Sequence, residues 1–73
     1  MVRYNSFMRI SINKELISLP DNITVSKMLE KLEIEKKFIA VEINLNIIPK
    51  SEYDSHIVRE NDSVEIIQAV GGG

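Results

Sequence analysis

The sequence contains no cysteine and a single histidine, His56. That excludes a disulfide framework, a thiolate metal site and any multi-histidine metal site, and an unstapled small domain suits the reducing cytosol. No apolar run approaches the ~18 residues that span a bilayer, and no charged-then-apolar signal segment opens the chain. Neither sign of charge dominates: nine Lys and Arg stand against eleven Asp and Glu, for a net charge of -2. The phosphate attraction on which most nucleic-acid binding rests is therefore missing. A length of 73 residues allows one domain with one small core. A chain near 60 residues buries only ~60% of its unfolded surface, which leaves no room for a deep, enclosed active site. The expectation is a cytoplasmic single domain with no metal, nucleic acid or membrane, whose chemistry lies at its surface or on a partner.

What the chain does have is 44% hydrophobic and 27% charged residues, the balance of a folding domain. Met8, Ile10 and Ile12 alternate with Arg9 and Ser11, the period of a half-buried strand. Asn13-Lys14 makes a tight polar break before a second strand, Glu15 to Leu19, which Pro20 ends. Val25, Met28, Leu29 and Leu32 recur at i, i+3, i+4 and i+7, the apolar stripe of a helix. Thr24 is its expected N-cap, Ile23 is placed to staple onto Met28, and the helix should fade between Ile34 and Lys37. Phe38 to Ile43 reads as a third strand and Ile47-Ile48-Pro49 as a brief edge strand, with a turn at Asn44-Leu45-Asn46. Ser51 to Val58 reads as an irregular link. Asn61-Asp62 turns the chain into a last strand with Val64, Ile66 and Val70 alternating with Glu65, Ile67 and Ala69.

This order implies an α+β fold: a mixed sheet of four to five strands packed on one main helix, with a right-handed helical crossover between parallel strands. That is the β-grasp, or ubiquitin-like, arrangement. Its expected limits are an N-terminal extension over residues 1–7, the domain over 8–70 and a glycine tail over 71–73.

All three glycines are the last three residues, Gly71, Gly72 and Gly73. At ~7% average usage such a triple ends roughly one chain in 3,000 by chance. Lacking Cβ, the tail is slim and flexible enough to thread a narrow channel toward a nucleotide, and it leaves the terminal carboxylate unhindered. A carboxylate is a poor acyl donor until an adenylyl group from ATP makes it a mixed anhydride open to a sulfur nucleophile. The chain has neither a phosphate-binding glycine loop nor a metal cluster, so ATP and magnesium belong to a separate activating enzyme and no cofactor is bound here. A frayed end is the bland alternative for the glycines.

Over residues 8–73 the chain resembles the ThiS-type sulfur carrier proteins of thiamine biosynthesis. The stretches that carry the resemblance are ITVSKMLEKL, EINLNIIPKSEY with Pro49, Lys50 and Tyr53, and above all HIVRENDSVEIIQAVGGG. The resemblance implies that the chain is not an enzyme. Its Gly73 carboxylate would be adenylated by an E1-like, ThiF-type enzyme and converted to a thiocarboxylate. The sulfur would come from a donor of the cysteine desulfurase or rhodanese type and pass to a ThiG-type thiazole synthase. Gly72 matches the family's diglycine end and Gly71 extends it. Where that family usually has an Asp-Gly-Asp turn, this chain has Glu60-Asn61-Asp62, and asparagine tolerates the same left-handed backbone. The small subunit of molybdopterin synthase shares the fold and the tail chemistry, but tends to be longer and to carry prolines where Gln68, Ala69 and Val70 stand here. A noncatalytic ubiquitin-like binding module or modifier is the third alternative.

Ile67, Ala69 and Val70 are the candidate partner contacts, because strand alternation turns Ile67 away from Ile66 and an apolar surface beside a reactive end suits docking. Core packing is the competing reading for them. His56 has no nucleophile or second ligand in sight and reads as structural, Met28 as core, and the Lys and Glu residues from Lys27 to Lys37 as a solvated helix face.

Overall fold

The computed structural model describes residues 6–68. Two tight turns set the outer hairpins. Strands β1 (Phe7–Ile12) and β2 (Glu15–Pro20) pair antiparallel through Asn13-Lys14, whose φ angles of 51° and 68° are both left-handed. That is the geometry a two-residue hairpin needs to match strand twist, and asparagine enters it at little cost. Asn44 and Leu45, at φ 52° and 71°, repeat the device between β4 (Ile39–Ile43) and the edge strand β5 (Asn46–Ile48). Phe7, expected in the N-terminal extension, opens β1 opposite Pro20 instead, because backbone pairing continues one residue beyond the apolar alternation.

The long strand β7 (Ser63–Gln68) fills the centre of a five-stranded sheet of order β2-β1-β7-β4-β5. It runs parallel to β1 and antiparallel to β4. The parallel neighbours are thus the first and last strands, not the two joined through the helix, since β2 and β4 are separated by β1 and β7. One face of the sheet carries Met8, Ile10, Ile12, Leu19, Ile39, Val41, Ile43, Ile48, Val64 and Ile66, all buried. Helix α1 (Val25–Lys31) closes this face with Val25, Met28 and Leu29, each fully buried. Seven residues are too few for a helix to persist alone. Packing of those three side chains, each contributing about 1.5–3 kcal/mol, holds it.

Thr24 caps α1 as its sequence implies, its Oγ1 accepting from the Lys27 N–H at 3.1 Å. The helix ends sooner than its apolar stripe does. Leu32 is the C-cap and Glu33 turns left-handed at φ 59°. The Ile34 N–H then donates back to the Leu29 carbonyl and the Glu33 N–H to the Glu30 carbonyl. This is a Schellman ending with glutamate in the place glycine normally takes, so no glycine marks it in the sequence.

The segment expected to be an irregular link holds a 3₁₀ turn, Lys50–Glu52, and a two-residue strand β6 (Ile57–Val58). β6 pairs antiparallel with β3 (Ile23–Thr24), while the Ser26 N–H donates to the Tyr53 carbonyl and the Val25 N–H to the His56 carbonyl. The link is thereby stitched to the start of α1. Tyr53 is only 2% exposed; burial pushes its phenol above the ordinary value, partly offset by a hydrogen bond with the Val41 backbone. His56 serves through its backbone, at intermediate exposure.

Candidate functional site

Strand β7 leads from the middle of the sheet to the five residues that follow it, and two asparagines fix its ends. At its start, Asn44 Oδ1 accepts from the Ser63 N–H at 2.9 Å and Asn44 Nδ2 donates to Asp62 Oδ1 at 3.0 Å. Asp62 Oδ2 in turn accepts from the Arg59 N–H at 2.8 Å, closing a turn in which Asn61 sits at φ 71°. The left-handed asparagine expected in the Glu60-Asn61-Asp62 turn is therefore present. At the far end, the Asn13 N–H donates to the Val64 carbonyl at 2.8 Å. The Asn13 side chain then acts as a further rung of the ladder: Oδ1 accepts from the Ile66 N–H at 2.7 Å and Nδ2 donates to the Ile66 carbonyl at 3.4 Å. A hairpin residue thus holds the backbone two residues before β7 ends, across 53 positions of sequence. The sequence reading assigned Asn13 only to its turn.

Ile66 and Ile67 part as alternation demands, Ile66 being 9% exposed in the core and Ile67 47% exposed on the opposite face. On that outer face Ile67 lies opposite Ala40, and one row further from the tail Glu65 lies opposite Glu42, which itself faces Ile47. Ile47 is exposed, and so is Phe38, which precedes β4 with a left-handed φ of 59°. A left-handed backbone costs a bulky L-residue about 1–2 kcal/mol. Phe7 and Leu16 are exposed on the β1–β2 side of the sheet. Phe38, Ala40 and Ile47 were not singled out from sequence. Alternation along β4 would have turned Ala40 outward, but the register that joins it to Ile67 is not written in any one strand. Ala69, Val70, Gly71, Gly72 and Gly73 lie outside the described residues.

On the core side of the β7 end, Ile12, Asn13, Ile34, Ile66 and Gln68 line an open groove of about 270 Å³. Away from β7, Ser26 is the one buried polar residue among those described; its Oγ accepts from Lys36 Nζ at 2.9 Å and donates to Asp54 Oδ1. That hydrogen bond, followed by the Lys36 charge 3.7 Å away, holds the exposed Asp54 carboxyl below its ordinary value. The trio ties the link to the helix exit and has no nucleophile activated by a base. Among the described residues no group of three or more His, Asp or Glu side chains is placed to hold a metal ion, and no helix is long and apolar enough to cross a membrane.

A five-stranded mixed sheet on one helix, with parallel first and last strands, defines a β-grasp domain, and its distinctive surface is the apolar outer face beside the end of β7. A solved structure of the thiamine biosynthesis protein ThiS from Geobacter metallireducens has the same fold, with a TM-score of 0.79 at 23% identity, covering 90% of this chain and all of that one. The ThiS family model matches residues 2–73, and the chain belongs to the ThiS family. The sulfur carrier protein ThiS of Escherichia coli is 30% identical over 66 residues, which span 90% of this chain and the whole of that protein. A thiazole synthase of Paramagnetospirillum magneticum is 38% identical over 66 residues, 90% of this chain but only 20% of the synthase. This chain is therefore similar to a fifth of that larger protein.

Proposed function

We propose that this chain is a sulfur carrier of thiamine biosynthesis and not itself a catalyst. Its membership of the ThiS family carries this reading, supported by the terminal Gly71-Gly72-Gly73 that continues the chain after β7. In this reading a ThiF-type, E1-like enzyme uses ATP and magnesium to adenylate the Gly73 carboxylate, releasing pyrophosphate. The outer sulfur of a persulfide on a cysteine desulfurase or rhodanese-type donor then attacks the acyl carbon and displaces AMP, giving an acyl disulfide; a second partner thiol breaks its S–S bond, becoming oxidised to a disulfide with the donor thiol and leaving the sulfur on the terminal acyl carbon as a thiocarboxylate. The thiocarboxylate delivers that sulfur to thiazole synthase for the thiazole ring. Similarity of the chain to part of a thiazole synthase supports the last partner, because a carrier-like domain joined to the acceptor enzyme works at high effective concentration.

The division of labour follows from size. The domain supplies a rigid body for recognition, and the tail, free of side-chain bulk, supplies a carboxylate that reaches into active sites the domain cannot enter. Ile67 is the described member of the partner-contact set, with Ala69 and Val70 following it toward the glycines. The reactions take place in the cytosol, where ATP and reduced sulfur donors are at hand.

Genetic complementation tests this. Expressed in a strain lacking its thiamine sulfur carrier, the chain is expected to restore growth without thiamine, and deletion of Gly71, Gly72 and Gly73 together is expected to abolish rescue while the domain stays folded by circular dichroism. Rescue of a strain lacking the molybdopterin synthase small subunit instead would overturn the thiamine assignment, and rescue by the chain without its three glycines would overturn the role of the tail.

A further inference from the structure

The two edges of the five-stranded sheet are guarded unequally. At one, β5 is three residues long and runs into Pro49, and a short edge stopped by proline resists pairing with another strand. At the other, β2 runs six residues in unbroken register with β1, contains no lysine, and has its proline only at the far end. Glu15, Leu16 and Ser18 are exposed along it and Ile17 is half-buried. The direction of its backbone groups follows from β1. The Ser11 N–H donates to the Asp62 carbonyl and the Asn13 N–H to the Val64 carbonyl, both toward the β7 side, so Ile10 and Ile12 turn their backbone groups toward β2. Ile17 and Glu15, which stand opposite them, are then the hydrogen-bonded partners, as a two-residue hairpin loop requires. Leu16 and Ser18 therefore point their N–H and C=O groups out of the sheet, where no strand among the described residues pairs with them. An edge of this kind is an open template for a further strand.

We propose that β2 pairs with β2 of a second copy of this chain, antiparallel about a two-fold axis through Ile17, so that the two five-stranded sheets become one. The occupant is a second copy because the strand is complementary to itself. In this register Leu16 lies opposite the partner's Ser18 and Ser18 opposite the partner's Leu16, each pair exchanging both its N–H···O bonds. Every outward backbone group of the two residues is thereby satisfied. Ile17 meets the partner's Ile17 across a non-hydrogen-bonded pair with Cβ atoms about 4.5–5.5 Å apart, which covers its half-buried side chain. Leu16, 67% exposed, comes within about 7–8 Å of the partner's Leu16 on the diagonal of the other face. No charge directly opposes a like charge: Glu15 faces the partner's Leu19, and Lys14 faces the partner's Pro20. A register centred on Ser18 would instead set Pro20, which has no N–H, opposite Leu16 and leave the Leu16 carbonyl unpaired. The pairing does not depend on the carrier reading and is compatible with it, because β1 separates β2 from β7 and the seam leaves Ala40, Ile67 and the end of β7 uncovered.

The test measures molar mass by sedimentation equilibrium and amide hydrogen exchange by NMR on the full chain, from about 10 µM to about 1 mM. Those limits bracket the weak association expected of a seam well under ~1,200 Å². The mass is expected to rise from that of one chain toward twice that value, and exchange at the Leu16 and Ser18 amides to slow about threefold or more over the same range. S18P removes an outward N–H that β1 does not use, and is expected to weaken association about tenfold or more. L16K/S18K alters only exposed side chains and sets lysines opposite one another across the seam, so it is expected to abolish association while the fold is kept. A thermal melt of each variant confirms that it is folded, and L16K/S18K decides the matter if S18P does not fold. The mass of one chain at about 1 mM would overturn the proposal, and so would association of the folded variants equal to wild type. Equal protection of Leu16 and Ser18 at both ends of the range would overturn it too, assigning the edge to another segment of the same chain.

Discussion

The two faces of the sheet are built from the same strands and behave as two different materials. The inner face is continuous aliphatic packing: Ile10, Val41 and Val64 on three neighbouring strands are fully buried against Val25, Met28 and Leu29 of α1. The outer face alternates uncovered apolar side chains, Ile67 and Ile47 among them, with the opposed Glu42 and Glu65. One face holds the fold and tolerates little change. The other leaves apolar side chains uncovered, and Ile67 among them is the contact proposed for a partner.

The sharpest contrast comes from emptying the inner face. Ile10→Ala is expected to destabilise the domain by about 2–5 kcal/mol, close to the whole stability of a chain this size, and urea denaturation at neutral pH would read it. A loss under ~1 kcal/mol would mean that the inner face is less tightly packed than its burial indicates. Asn13→Ala comes next, with a loss of about 1–3 kcal/mol, because the partly buried Ile66 N–H and carbonyl are left without their partner. Hydrogen exchange at the Ile66 amide should accelerate beyond what the global loss explains. Unchanged protection there would mean that β7 is held without the clamp.

Acid sharpens the comparison from outside the sheet. Asp54 titrates below the ordinary 3.8 in the folded chain because Ser26 and then Lys36 favour its charged form. Its stabilising effect is therefore present above pH 3.8 and lost as the pH falls below that value through the lower folded one. Asp54→Asn is expected to flatten this acid limb and leave both sheet faces as they were, read by melting temperature from pH 5 down to about 2. The smallest effect on stability is expected for Ile67→Ala, within about 0.5 kcal/mol, with a clear rise in the carrier's KM for adenylation. A large stability loss would place Ile67 in the core after all.

Much of this was legible along the chain, for reasons that differ by element. The inner strands and α1 announced themselves through period, Thr24 through the chemistry of a cap, and the exposure of Ile67 through alternation past Ile66. What escaped was either too short or too distant to leave a local signal. β3 and β6 are two residues each and have no period to detect. The helix end at Leu32 relies on a left-handed Glu33 that nothing in its residue type betrays. The Asn13 clamp on Ile66 and the Glu42–Glu65 opposition exist only once distant segments are in register. The reading of the glycine tail rests on composition and chemistry alone, since the five residues after Gln68, the three glycines among them, lie outside the described residues.

The most direct measurement of the central claim is the intact mass of the chain after incubation with a ThiF-type enzyme, ATP, magnesium and a sulfide source. A gain equal to replacing one oxygen by sulfur, absent when Gly71, Gly72 and Gly73 are deleted, is the predicted result. An unchanged mass with enzyme that is active on its own carrier would contradict it.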